Sequence, residues 1–169
     1  MNGKPCPKCN QPVDPDANFC SNCAEPLSRN RKPTGKDWKS ERTVLGFPLV
    51  HIAYGTDELG RKRVAKGVIA IGQYGLGIIT IAQFGVGILF GFGQFILGLI
   101  AIGQFAFAPF LAAGQIAIGY AAIGQIVLAE YGIGQIGWAT HLWSISRKDP
   151  QALSYFEGLW QAVKNFINI

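Results

Sequence analysis

Glutamine recurs at positions 73, 83, 94, 104, 115, 125 and 135, in steps of ten or eleven residues. A small residue precedes each one: Gly72, Ala82, Gly93, Gly103, Gly114, Gly124 and Gly134. Another small residue follows five places after each of these: Gly77, Gly87, Gly98, Ala108, Gly119, Ala129 and Ala139. The underlying period is five, and it excludes most folds. Five residues advance an α-helix by about 500°, or about 140° net, so small residues at this spacing scatter around a helix and form no packing face. The sixteen glycines from Gly67 to Gly137 would each cost a helix interior roughly 1 kcal/mol.

A β-solenoid accommodates both facts. Small residues mark corners, and the large residue two places on points inward, because side chains alternate along a strand. This predicts an interior built from Tyr74, Phe84, Phe95, Phe105, Ile116, Ile126 and Ile136, joined by Ile79, Leu89, Ile100, Phe110 and Tyr131. Leu76, Val86, Leu97, Phe107, Ile118 and Leu128 then face outward. With about twenty residues per coil, Gln73, Gln94, Gln115 and Gln135 stack in one ladder and Gln83, Gln104 and Gln125 in another. Stacked amides bond along the axis, as in cross-β structures. A polar track for ions or small solutes is the other use of such ladders.

The small-x-large-x-x pattern over 67–138 resembles the pentapeptide-repeat family, which implies a right-handed β-solenoid with four pentads per square coil. This chain departs from the family by placing Gln in alternate pentads and apolar residues outside. The run from GFPLVHI through VAKGVIAIG also resembles bacterial proteins with AIG-type repeats, a likeness that implies no activity.

Charge is segregated. Twelve of the fifteen Lys and Arg residues lie at or before Lys66, and 67–129 contains no Asp, Glu, Lys or Arg. An apolar exterior needs lipid, a partner or another copy of itself, and basic residues beside it favour anionic lipid over nucleic acid. The rival fold is three transmembrane helices, because 63 uncharged residues make about 95 Å of helix, enough for three spans of ~30 Å. No polar loop interrupts the run, so helix reversals would sit in or near lipid. A solenoid with coils of twenty residues would be only ~17 Å tall.

The four cysteines form two C-x-x-C pairs, Cys6/Cys9 and Cys20/Cys23. Two such knuckles supply four thiolates to a tetrahedral zinc ion and indicate a reducing compartment. A redox dithiol is the rival. A four-thiolate site has no open position and is structural, and so small a segment draws its folding energy from the metal. Phe19 is the expected aromatic cover. CPKC and FCSNC resemble the short zinc ribbon at the N-terminus of many bacterial membrane proteins. After each knuckle that family has Gly where this chain has Asn10 and Ala24, so both must tolerate the left-handed conformation, Ala24 less readily.

The predicted organisation is a zinc ribbon over 1–26, a linker over 27–42, a strand or strand pair over 43–66 bent at Gly46 and Pro48, the repeat over 67–143, and an amphipathic helix over 149–168. Asp149 and Pro150 supply its N-cap and first residue. Leu153, Phe156, Leu159, Trp160, Val163, Phe166 and Ile167 share one face. That helix caps the last coil or lies at a lipid interface, with Trp143 and Trp160 at headgroup level.

No catalytic constellation is visible. His51 lies in an apolar strand as a core residue, and His141 has no carboxylate close in sequence. No apolar leader is visible at MNGKPCPKC. The expected protein is a membrane-associated, non-enzymatic structural or adaptor protein with its ribbon on the cytoplasmic side. Membrane lipid and a protein partner are implied, homo-oligomers are open, and nucleic acid is disfavoured because the ribbon holds only Lys4 and Lys8. The alternative is a soluble self-assembling solenoid or a nucleic-acid-binding adaptor led by the basic ribbon.

Overall fold

The computed structural model describes residues 5–14, 17, 19–25, 27, 33–57 and 60–167. Lys4, Pro26, residues 28–32 of the expected linker, Glu58 and Leu59 of the TDELG turn, and Asn168 lie outside the described residues. The chain forms two compact units: Met1–Gly35 with Gly55–Lys62, and Lys36–Tyr54 with Arg63–Ile169.

The structure is mainly β. Strands β1 (Thr34–Lys39), β4 (Val50–Thr56) and β5 (Val64–Trp143) form one sheet in the order β1-β4-β5. β2 (Thr43–Val44) and β3 (Phe47–Pro48) form an antiparallel pair. β1 corrects the linker expectation: TGKDWK carries few apolar residues, and pairing with a neighbour makes it a strand. The expected bend at Gly46 is a two-residue hairpin. Leu45 and Gly46 both have positive φ, 52° and 80°, which matches the twist of paired strands. β4 runs parallel to the start of β5, with Val50 opposite Ile69 and Ala53 opposite Gly72.

The rival reading of three transmembrane helices is overturned. The run from Val64 to Trp143 is extended throughout, and no helix among the described residues is long and apolar enough to cross a membrane. Eighty residues of straight strand would reach about 265 Å. Instead the chain returns alongside itself every ten or eleven residues. Tyr74, Phe84, Phe95 and Phe105 form a row with successive ring centroids 5.6, 6.4 and 6.0 Å apart. Thr140 donates to Glu130, ten residues earlier, at 2.9 Å. The glycines before each glutamine obey the same step. A Cβ on Gly134 would lie 2.9 Å from the carbonyl oxygen of Gly124, and those on Gly103, Gly114 and Gly124 would also fall under 3.0 Å from the carbonyl ten or eleven residues back. Glycine is required there by the close approach of successive rungs.

The close approaches recur every ten or eleven residues, where coils of about twenty were expected. Gln73, Gln83 and Gln94 line a common groove. The Oε1 of Gln73 is buried and has no hydrogen-bond partner.

The inward and outward faces are also corrected. Phe95, expected in the core, is 37 % exposed, and Tyr74, Phe84, Phe105, Ile126 and Ile136 are exposed too. Leu89 and Phe110 likewise face out. The expected outward residues Leu97 and Leu128 are exposed, at 43 % and 49 %. The core is instead a five-residue series through Ile96, Ala101, Ala106, Ala112, Ala117, Ala122 and Val127, all 0 % exposed.

The buried positions take alanine, or one larger residue beside glycine. Thr80 is fully buried, and its Cγ2 would lie 2.7 and 2.6 Å from a Cβ on Gly75 and Gly85. Its hydroxyl donates to the Val86 carbonyl at 2.8 Å, so burial leaves no orphaned polar group. Gly91 leaves room for Ile96, and Gly132 and Gly137 leave room for Val127.

Helix α1 (Pro150–Ile167) begins as expected. Asp149 accepts from the Gln151 amide at 3.0 Å, capping the first turn. Ala152 is buried, and Leu153, Phe156 and Leu159 are half-buried, so the first half of the apolar face packs on β5. Trp160, Val163, Phe166 and Ile167 are exposed.

Candidate metal centre and apolar wall

Both cysteine knuckles are built alike. The amides of Asn10 and Ala24 donate to the carbonyls of Cys6 and Cys20 at 2.9 Å, and the amides of Cys6 and Cys20 donate to the carbonyls of Gln11 and Glu25 at 2.9 Å. Each turn closes through a residue with positive φ: 58° at Asn10 and 55° at Ala24. Those are the two positions the sequence marked for the left-handed conformation.

This pairing brings the four sulfurs within 4.8 Å of one another. Cys6 Sγ lies 3.6 Å from Cys23 Sγ, and Cys9 Sγ lies 3.5 Å from Cys20 Sγ. A tetrahedral ion with metal–sulfur bonds of about 2.3 Å needs sulfurs ~3.8 Å apart. The separations fit that requirement, and all four cysteines are free thiols. The cluster could hold a metal ion.

The electrostatics agree. The backbone hydrogen bond with Gln11 favours the Cys9 thiolate and pulls its pKa down to about 6. At Cys23 the backbone hydrogen bond with Glu25 also favours the thiolate. Lost hydration and the neighbouring thiols outweigh it and push the pKa up to about 12. Thiolates crowded together repel, so a cation is what allows all four to ionise. Phe19 does not cover the site; it is 62 % exposed. Val13 and Leu27 pack there instead. Lys8 forms an ion pair with Glu25 at 3.2 Å.

The histidines are held in place. His51 is buried, its Nδ1 accepting from the Lys66 amide at 2.7 Å and its Nε2 lying 3.1 Å from Asp37 Oδ1. Arg63 lies 3.2 Å from Asp37 Oδ2. Partial burial alone would raise the Asp37 pKa. The hydrogen bonds from His51 and Arg63 outweigh it and hold the carboxyl below its usual range. His141, which lacks a carboxylate close in sequence, is paired with Asp149 at 3.0 Å and stacked on Tyr131 at 5.0 Å. Sequence gave no signal for these pairs, because the partners lie 14 and 8 residues away on different segments.

The wall of the repeat is apolar. Val86, Leu97, Phe107 and Ile118 stand side by side at the same ten- or eleven-residue steps and line an open groove with Ile88 and Leu99. Comparison with family models, curated proteins and solved structures gives no match.

Proposed function

We propose that the chain is a non-enzymatic, membrane-associated structural or adaptor protein. Its repeat is a right-handed β-solenoid of ten- or eleven-residue turns that serves as the anchor. Its cysteine centre is a structural zinc ribbon that docks a protein partner on the cytoplasmic side. The observation that carries this reading is the wall: large apolar side chains such as Phe84, Ile88, Leu97 and Leu128 are exposed along a stretch without one charged residue. So large an apolar surface is not left in water. The excess of Lys and Arg before the repeat supports the cytoplasmic assignment. Four thiolates with no open ligand position support a structural ion, and zinc is the usual occupant of such a set.

Flotation with liposomes tests the anchor. Protein that rises with vesicles and is extracted only by detergent supports it. Protein that stays soluble at high concentration as an assembly supports instead a solenoid whose wall is covered by further copies of itself. Elemental analysis tests the ribbon: about one zinc per chain is expected, lost in Cys20→Ser. Zinc retained after all four cysteines are replaced refutes the assignment.

A further inference from the structure

We propose that the repeat crosses the lipid bilayer, with its rungs in the plane of the membrane and its axis along the membrane normal. This rests on the reading of the chain as a membrane-associated solenoid and adds depth and direction to it.

Height is the first argument. The row Gly67, Gly77, Gly87, Gly98, Ala108, Gly119 and Ala129 makes six steps across the uncharged stretch. At ~4.8 Å per step this is about 29 Å, against a hydrocarbon layer of about 30 Å. Turns of twenty residues would reach only half of it. The narrow coil with its alanine core is what makes the stack tall enough.

Backbone satisfaction is the second. Only structures that pair their own backbone groups can span lipid. In a stack of rungs each N–H and C=O points along the axis to the rung above or below, so free edges exist only at the two ends. With the axis along the normal, both ends reach the membrane surfaces. At the first end the edge is paired with β4, and at the other α1 packs on β5. With the axis in the membrane plane, at least part of an end would lie in lipid.

The third argument is what stands at the ends. Arg63, Lys66, Trp38 and Tyr54 come before the uncharged stretch in the same unit. After it come Trp138, which is exposed, and two Lys–Trp pairs: Lys148 lies 5.5 Å from the Trp143 ring and Lys164 lies 5.3 Å from the Trp160 ring. Aromatic rings with basic heads mark the headgroup level on both sides of spanning proteins. All four tryptophans of the chain are in these flanks. The glutamine row is the one polar stripe on the wall. Its amides repeat once per rung, so without water they can bond to one another along the axis, in the same direction as the backbone.

The test is polarised infrared spectroscopy of the full chain in aligned bilayers of phosphatidylcholine and phosphatidylglycerol, after flotation with vesicles of the same lipids. The strong amide I transition of a strand lies along the inter-rung hydrogen bonds, so it is expected along the membrane normal. Floating protein whose transition lies in the membrane plane overturns the spanning geometry and leaves membrane association standing. Protein that does not float overturns both. Depth is read independently from Leu99→Lys at mid-height and Ile136→Lys beyond the uncharged stretch, each checked for a native strand spectrum in detergent. A charge at the bilayer centre should lower vesicle insertion on the order of a hundred-fold, and one near the surface by only a few-fold. Equal losses at the two positions overturn the assignment of depth.

Discussion

Glycines beside the few large buried side chains make room for them, and one pair of residues tests this directly. A Cβ on Gly91 would fall under 3.0 Å from Ile96 Cγ2, while its next neighbours, the Leu97 carbonyl oxygen and Ile96 Cβ, would be at ordinary distances of 3.5 and 3.7 Å. Gly91→Ala alone therefore overpacks the coil, at a cost of about 1–3 kcal/mol. Ile96→Ala alone removes three buried carbons and leaves a cavity, at a cost of roughly 2–5 kcal/mol. In the double variant the clashing methyl is gone, and the new alanine methyl occupies part of the vacated space. One methyl is worth about 0.8 kcal/mol of burial, so the double variant should be no less stable than Ile96→Ala alone. The coupling is then at least ~1 kcal/mol in the favourable direction, well above the scatter of independent sites. Urea unfolding of the full chain in mild detergent, followed by the strand signal in circular dichroism, measures all four corners of the cycle. If the two single costs simply add, the side chains do not share one space and the account of the core is wrong.

Other perturbations read other parts of the chain. Ala24→Gly relieves a residue held at φ 55° and should strengthen the second knuckle by about 1 kcal/mol, seen as tighter retention of metal against a chelator. Phe95→Lys and Leu97→Lys both place a charge on the wall and should keep the strand spectrum in detergent, whereas Ala106→Asp buries an unpaired charge and should abolish it. Gly158 sits within α1 with nothing within 4 Å of an added Cβ, so Gly158→Ala should stabilise the helix by up to ~1 kcal/mol. The folded-state pKa of Asp37 is depressed, so its contribution is present above the unfolded value of ~3.9 and is lost as pH falls through the lower folded value. Asp37→Asn should therefore be less stable than the parent at neutral pH, and the gap in urea midpoint should close in acid below about pH 4.

The parts legible in the sequence are those governed by neighbours along the chain. The C-x-x-C spacing places two sulfurs on one turn, and the resemblance to a zinc ribbon marks the residue after each pair for the left-handed conformation, which Asn10 and Ala24 adopt with positive φ. The cap at Asp149 and the tight turn at Gly46 have equally local causes. β1 was not legible, because its strand character comes from pairing and not from composition. Phe19 was misplaced for a similar reason: the cover over the sulfurs is chosen by how the two knuckles meet, and Val13 and Leu27 are nearer.

The repeat divides in the same way. Its period of five argued against a helix, with three transmembrane helices left as the rival, and the chain is mainly strand. The sequence could not say which segments lie side by side. Contacts between residues ten or eleven apart are dictated by no local preference, and they determine what is buried. Large residues normally fill a core, so Phe95 and its equivalents were expected there. Phe84, Phe95 and Phe105 are exposed instead. Only alanine fits at Ala101, Ala106, Ala112, Ala117 and Ala122, or a larger side chain where glycine stands beside it. The sequence by itself determined the five-residue spacing of small residues and the two C-x-x-C pairs before it. Tertiary structure decided that alanines such as Ala101 and Ala117 are buried while Phe84, Phe95 and Phe105 are exposed, because burial is set by contacts between segments and not by side-chain size alone.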